Sequence, residues 1–236
     1  KPTRTPDGFT VTVTNFDATS SYALLASDGT VTMTGSLVTV TGLAPDAPSA
    51  VTLTVSRAGS TDATATVTDS ALGTGSAPEF SAPTPIDGGY RFTITNYDPA
   101  LTYSLAQTGG TVSRDGDVVT VTGLAAGATA QTTVTVSNPG HVDATATQTG
   151  TSLPNGTAPT ASDVTRTADG FTFTIELEPG VTYTVTSAAG TVVLDGNTVT
   201  VTGLDSGAST TVTITASKPG ALDATTDVSG SALLAG

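Results

Sequence analysis

Apolar and polar residues alternate strictly over Phe9-Thr-Val-Thr-Val13, which puts Phe9, Val11 and Val13 on one face and Thr10, Thr12 and Thr14 on the other. A period of two is that of a half-buried β-strand. The alternation returns at Tyr90, Phe92, Ile94 and at Phe171, Phe173, Ile175. A second run, Val38-Thr-Val-Thr-Gly42-Leu43, is written again as Val119-Thr-Val-Thr-Gly123-Leu124 and Val199-Thr-Val-Thr-Gly203-Leu204. Gly42 and Gly123 lie 81 positions apart, Gly123 and Gly203 80. That period is too long for a helical solenoid repeat and suits a small β-sandwich. The chain therefore reads as three tandem copies: 1–74, 75–153 and 154–236.

Each copy predicts the same series of strands. After the first alternating strand and a turn at Asp17, Asp98 or Glu178, a second strand carries Tyr22, Tyr103 or Tyr183 toward the same core. Hairpins follow at Asp28-Gly29, Gly109-Gly110 and Ala189-Gly190, and again around Gly35, Gly116 and Gly196. The Val-Thr-Val-Thr strand ends on a leucine placed to plug the sandwich. A fifth strand (Val51, Leu53, Val55 in the first copy) closes on Ala58-Gly59, Pro139-Gly140 or Pro219-Gly220, and a sixth starts near Asp62, Asp143 or Asp223. A proline-spotted stretch precedes the second and third copies, Ala77-Pro78 to Pro85 and Ala158-Pro159 to Val164, and fits an irregular edge strand, giving seven strands per copy. The first copy has only Lys1 to Pro6 of that stretch, so its edge strand is expected to be short, and Lys1 is read as the start of a mature or excised piece. This register expects Phe9, Tyr22, Val40 and Leu43 to be buried, and Thr10, Thr12, Thr39 and Thr41 to face water. The linkers Gly73-Thr-Gly-Ser76 and Pro154-Asn-Gly156 are short and small, joints that pivot without separating far. An elongated array on the order of 100 Å is expected from strands of about 25 Å plus their loops.

Composition narrows the partners. With seven basic against twenty acidic side chains the net charge is −13, which argues against nucleic acid and anionic lipid. No apolar run approaches the roughly 18 residues of a membrane span, so no membrane insertion is expected. There is no cysteine, hence no disulfide, thiolate site or thiol nucleophile. Six Phe, five Tyr and no Trp leave the core to Val, Leu, Ile and Ala. Threonine, the commonest residue, favours strand and wets the outer faces.

A proline-rich edge strand, hairpin-linked strands and Thr41-Gly-Leu43-Ala-Pro45 before another alternating strand resemble the tandem fibronectin type III sandwiches of bacterial, often actinobacterial, secreted and surface proteins. The resemblance covers essentially the whole chain, and an immunoglobulin-like bacterial repeat would look similar. It implies an all-β fold of three seven-stranded sandwiches. Two family positions depart from the pattern. The tryptophan of the first long strand is replaced by Phe9, Tyr90 and Phe171, and the tyrosine past the loop leucine by Ser49, Ala130 and Thr210.

Candidate chemistry is thin. His141 is the only histidine, with Ser60 and Ala221 at its equivalent positions. Glu176 and Glu178 share a strand face, as a carboxylate pair or calcium ligands would, but their counterparts are Asn96 and Asp98. Asp62, Asp143 and Asp223 recur singly, too few for a calcium shell of six to eight oxygens. An intramolecular isopeptide bond needs a buried lysine, and only Lys1 and Lys218 exist. Leu153-Pro-Asn-Gly-Thr157 has Gly and Thr in the wrong order for a sortase signal and reads as a linker. Thr-x-Thr rows on twisted strands lack the flat array that ice recognition needs. No catalytic, cofactor or metal residue is therefore assigned.

The expected function is a structural spacer or stalk: part of a larger secreted or cell-surface bacterial protein that holds a functional domain away from the surface, with the flanking domains as its partners. The alternative is an adhesin-type module that binds protein or glycan through its loops, or a protomer of an extracellular fibre; an enzyme is not expected. A spacer predicts loops that differ freely between copies, as Ala44-Pro-Asp46, Ala125-Ala-Gly127 and Asp205-Ser-Gly207 do. Phe16 and Tyr97, at a strand end, are the aromatics least certain to face the core.

Overall fold

The computed structural model describes residues 1–236, and every element in it is a β-strand. The first copy comprises β1 (Thr3–Thr5), β2 (Gly8–Thr12), β3 (Ser21–Ala26), β4 (Thr30–Thr34), β5 (Leu37–Thr41), β6 (Pro48–Ser56) and β7 (Ala63–Ser70), followed by the two-residue β8 (Gly73–Thr74). One sheet runs β1-β2-β5-β4 and the other β3-β6-β7. Four strands facing three in this order is the plan of the constant-type immunoglobulin sandwich.

The second copy comprises β9 (Thr84–Ile86), β10 (Gly89–Thr93), β11 (Thr102–Gln107), β12 (Thr111–Asp115), β13 (Val118–Thr122), β14 (Thr129–Ser137), β15 (His141–Val142) and β16 (Ala144–Thr151). Its sheets are β9-β10-β13-β12 and β11-β14-β16. The third repeats the plan with β17 (Thr165–Thr167), β18 (Gly170–Thr174), β19 (Thr182–Ser187), β20 (Thr191–Asp195), β21 (Thr198–Thr202), β22 (Ser209–Ser217) and β23 (Ala224–Ser231), in the sheets β17-β18-β21-β20 and β19-β22-β23. By internal contacts the chain divides into two compact units. One holds Lys1–Ser81, Ile94–Ala106 and Thr132–Gln148, and the other Ala82–Thr93, Gln107–Gln131 and Thr149–Gly236.

The register follows the alternation. Phe9 pairs with Val40 and Val11 with Val38, while Thr10 faces Thr39 across the outer surface. Phe9 and Val40 are fully buried and Leu43 nearly so. Thr12 and Thr41 are exposed, whereas Thr10 and Thr39, directly opposite each other, are half-covered. Tyr22 was expected inside and is only half-buried. Its hydroxyl reaches out to accept the Asp17 N–H at 2.8 Å, as an amphipathic ring does at a core edge.

The cores are not equal. In the third copy Phe171, Phe173, Ile175, Val199, Val201, Leu204, Val212, Ile214 and Ala232 are buried together. In the first only Phe9, Val38, Val40, Leu43, Val51 and Ala71 are. Val11, Val13 and Leu53, which stand where Phe173, Ile175 and Ile214 do, are half-exposed.

Two expectations about connections change. The loops that vary in sequence are one turn: Ala47, Ala128 and Ala208 donate their N–H to Ala44, Ala125 and Asp205 at 3.0, 3.0 and 2.9 Å. Its third position is left-handed throughout, with φ of 60° at Asp46, 69° at Gly127 and 71° at Gly207. The linkers, in turn, are fastened. Residues of β8 pair in parallel with β15 (His141 opposite Gly73, Val142 opposite Thr74), and Gly75 N–H donates to Val142 O at 3.0 Å. At the second linker Leu222 N–H donates to Pro154 O at 2.9 Å.

Candidate functional site

The acidic and histidine side chains singled out from sequence do not converge, and no group of three His, Cys, Asp or Glu comes together. His141 is exposed on β15, where its N–H closes a turn onto Asn138 O at 3.0 Å. Glu176 and Glu178 are exposed, as are Asp62, Asp143 and Asp223 just before β7, β16 and β23. Lys218 is exposed in its Lys-Pro-Gly turn. No helix is long and apolar enough to cross a membrane.

The turn acids have a structural task. In every copy the acid's N–H donates to the hydroxyl of the tyrosine five residues on: Asp17 to Tyr22 at 2.8 Å, Asp98 to Tyr103 at 2.9 Å and Glu178 to Tyr183 at 3.1 Å. Asp17 Oδ1 also accepts the Thr19 N–H and hydroxyl at 2.9 and 2.8 Å, and Asp98 Oδ1 the Ala100 N–H at 2.9 Å. The two bonds from Thr19 hold the Asp17 carboxyl below the usual carboxylate range, with Arg57 adding a smaller attraction. Asp69 is also lowered: its partial burial works the other way and is outweighed by the Ser70 N–H and by Arg4, whose Nε lies 2.7 Å from Asp69 Oδ1. Phe16 and Tyr97 settle on these same tyrosines, with ring centroids 5.1 Å from Tyr22 and 5.0 Å from Tyr103.

A concavity rimmed by apolar side chains lies in the first copy, whose buried core has three residues fewer than that of the third. It has a volume of about 520 Å³ and opens between the free ends of β2 and β7, lined by Val11, Val13, Leu53, Val55, Ala65 and Val67 among others. β1 pairs with β2 from Gly8 to Thr10. In the second copy the same edge is covered: Phe80 bridges to Ile94, Thr95 N–H donates to Glu79 O at 2.8 Å, and Gln148 Nε2 reaches Ser81 O at 3.4 Å. In the third, Ala161 bridges to Ile175, Glu176 N–H donates to Thr160 O at 3.0 Å, and Thr226 Oγ1 donates to Pro159 O at 2.7 Å. No motif marks this groove in the sequence.

No family model matches the chain, and no curated protein matches it by sequence. Solved structures similar to it include the human desmocollin-1 ectodomain (15% identity over 92% of this chain and 52% of that one, TM-score 0.27). The chicken CNTN1 FN1–FN3 domains match at 12% identity over 97% of this chain and 96% of that one, TM-score 0.30. A Bacteroides ovatus protein, SGBP-B of a mixed-linkage glucan utilization locus, solved with a mixed-linkage heptasaccharide, matches at 11% identity over 97% of this chain and 64% of that one, TM-score 0.23. The chain spans about half the length of the desmocollin-1 ectodomain. The fold is all-β, of the tandem immunoglobulin-like class.

Proposed function

We propose that this chain is a non-catalytic structural segment of an extracellular or cell-surface protein, a spacer whose three copies, 1–74, 75–153 and 154–236, act as consecutive sandwich domains between flanking domains. The observation that carries the reading is the fastening of the linkers: Gly75 bonds to Val142 and Pro154 to Leu222, so each joint is built into the copy that follows it. A spacer transmits position only if its joints resist free rotation, and backbone hydrogen bonds at both joints supply that resistance. The excess of acid over base keeps such segments from associating with one another. Solution scattering tests the reading. A spacer requires a maximum dimension on the order of 100 Å, whereas a radius of gyration near the ~17 Å of a single globule of this length would overturn it.

A second reading, an adhesive module, is favoured by the exposed Phe16 stacked on Tyr22. Immobilised-glycan and protein arrays probed with the full chain test it, binding lost on Phe16→Ala being the expected result.

A further inference from the structure

We infer that Asn155 is a site of spontaneous modification, deamidation through a cyclic imide with the Gly156 nitrogen, and that the isoaspartyl form of the product unfastens the second linker. In the first step the Gly156 backbone nitrogen attacks the side-chain amide carbon of Asn155. That N–C bond forms, the amide C–N bond breaks, and the Gly156 proton leaves with the amide nitrogen as ammonia. One water then opens the five-membered imide at either carbonyl. Opening at the backbone carbonyl leaves the chain running through the former side-chain carbon, an isoaspartyl link, while opening at the other carbonyl gives ordinary aspartate. Only water is consumed, and nothing is oxidised or reduced.

The chain has five asparagines, and the structure separates this one from the rest. The residue that follows must offer a free N–H and little bulk, because the ring closes on its nitrogen. Asn155 is exposed and its side chain makes no hydrogen bond, and the Gly156 N–H is likewise without a partner. Glycine has no Cβ to hinder the approach. Asn138 precedes Pro139, which has no N–H to give. Asn96 is held by two bonds, accepting the Glu79 N–H and donating to Ala77 O, both at 2.9 Å, and Asn15 precedes Phe16, whose ring is stacked on Tyr22. Asn197 precedes the β-branched Thr198 at the start of β21, and its carbonyl accepts the Ile175 N–H at 2.9 Å. The first linker lacks the pair altogether: Gly75, the counterpart of Gly156, follows Thr74 and gives its N–H to Val142 O at 3.0 Å.

The seat of Gly156 has no room for the product. A carbon added at Gly156 would lie 2.3 Å from Leu222 O and 3.3 Å from Ala224 Cβ, and two residues earlier Pro154 O accepts the Leu222 N–H at 2.9 Å. An isoaspartyl link puts one more carbon, about 1.5 Å of chain, between these two contacts. They cannot both be kept, and the bond from Leu222 opens. The chemistry requires nothing of flanking domains, so it stands apart from the spacer reading.

Ageing the full chain at neutral pH and body temperature, with samples digested and mapped by mass spectrometry, tests this. Conversion of the amide to the acid is expected at Asn155 at least tenfold faster than at each of the other four asparagines, and within a few-fold of its rate in the chain held unfolded in urea. Fragmentation that distinguishes isoaspartate from aspartate should find both at position 155, the mark of the imide route. Asn155→Gln should abolish the reaction with the melting temperature unchanged. Amide exchange at Leu222 should speed up several-fold in the isoaspartyl fraction and stay as it was in Asn155→Asp, which adds the charge without the extra carbon. The inference is overturned if Asn155 reacts no faster than Asn197, if folding slows it tenfold or more, if aspartate alone forms, or if Leu222 exchanges alike in the isoaspartyl and Asn155→Asp chains.

Discussion

The ring of Tyr90 lies directly against Gly150, so that a side chain added at Gly150 would bring its first carbon within 2.6 Å of Tyr90 Cε2. Phe171 stands in the same relation to Gly230, at 2.6 Å from Cδ1. A glycine inside a strand usually weakens it, and it persists where another group approaches closely. Gly150→Ala and Gly230→Ala should therefore each destabilise the protein by about 1–3 kcal/mol, the usual cost of overpacking a core. Thermal melts of the two variants check this, and a rise in melting temperature for either would contradict it.

The hydroxyl of Tyr90 makes a second prediction. It donates to Ala130 O at 3.0 Å in a fully buried position. The first and third copies have Phe9 and Phe171 there and carry their buried hydroxyl on the facing strand instead. Ser49 Oγ donates to Asp28 O at 2.7 Å, and Thr210 Oγ1 accepts the Ala189 N–H at 3.0 Å. Tyr90→Phe should cost about 1 kcal/mol, and adding Ala130→Ser should recover part of the loss. A double-mutant cycle reads the coupling; strict additivity would show that the two hydroxyl placements are unrelated.

Asp46 is the only non-glycine residue with positive φ. Replacing it with Ala should destabilise the first copy by about 1 kcal/mol, the order of the left-handed penalty for an L-residue, whereas Asp46→Gly should be tolerated because Gly127 and Gly207 hold the same turn. Chemical denaturation of the two variants discriminates: equal losses would point to the carboxylate, which lies against Gly73, rather than to the backbone.

Asp17 and Asp69 set an acid limit. Both carboxyls are held below their ordinary range in the folded chain, so the stability they contribute is present above the unfolded value of about 3.9 and is lost as the pH falls through the folded values. The melting temperature should change little from pH 7 to 5 and fall below about pH 4. Asp17→Asn and Asp69→Asn should each flatten that fall, measured by calorimetry across the range.

Strand positions and faces were legible because the alternation is strict and because a slip of one residue would expose Phe9 and bury Thr10. The tyrosines of the second strand were read as core for the same reason, yet their hydroxyls are drawn outward to the turn N–H groups of Asp17, Asp98 and Glu178, a bond between parts of the chain that periodicity does not encode. The loops at Ala44, Ala125 and Asp205 looked free to vary because side chains differ where the backbone does not. The groove was least legible of all. It is made of ordinary core residues, Val11, Val13 and Leu53, whose alternation marks them only as inward-facing.

The fastening of Gly75 to Val142 also sets an order of events during synthesis. The linker leaves the ribosome 67 residues (142 minus 75) before its partner does, and Pro154 waits 68 residues (222 minus 154) for Leu222. While translation proceeds, the newest joint is loose, and it locks only when the following copy has been completed. The nascent chain thus stiffens from its N-terminus in two steps, each one copy behind the growing end, and protease sensitivity at a given joint reports how far elongation has advanced beyond it.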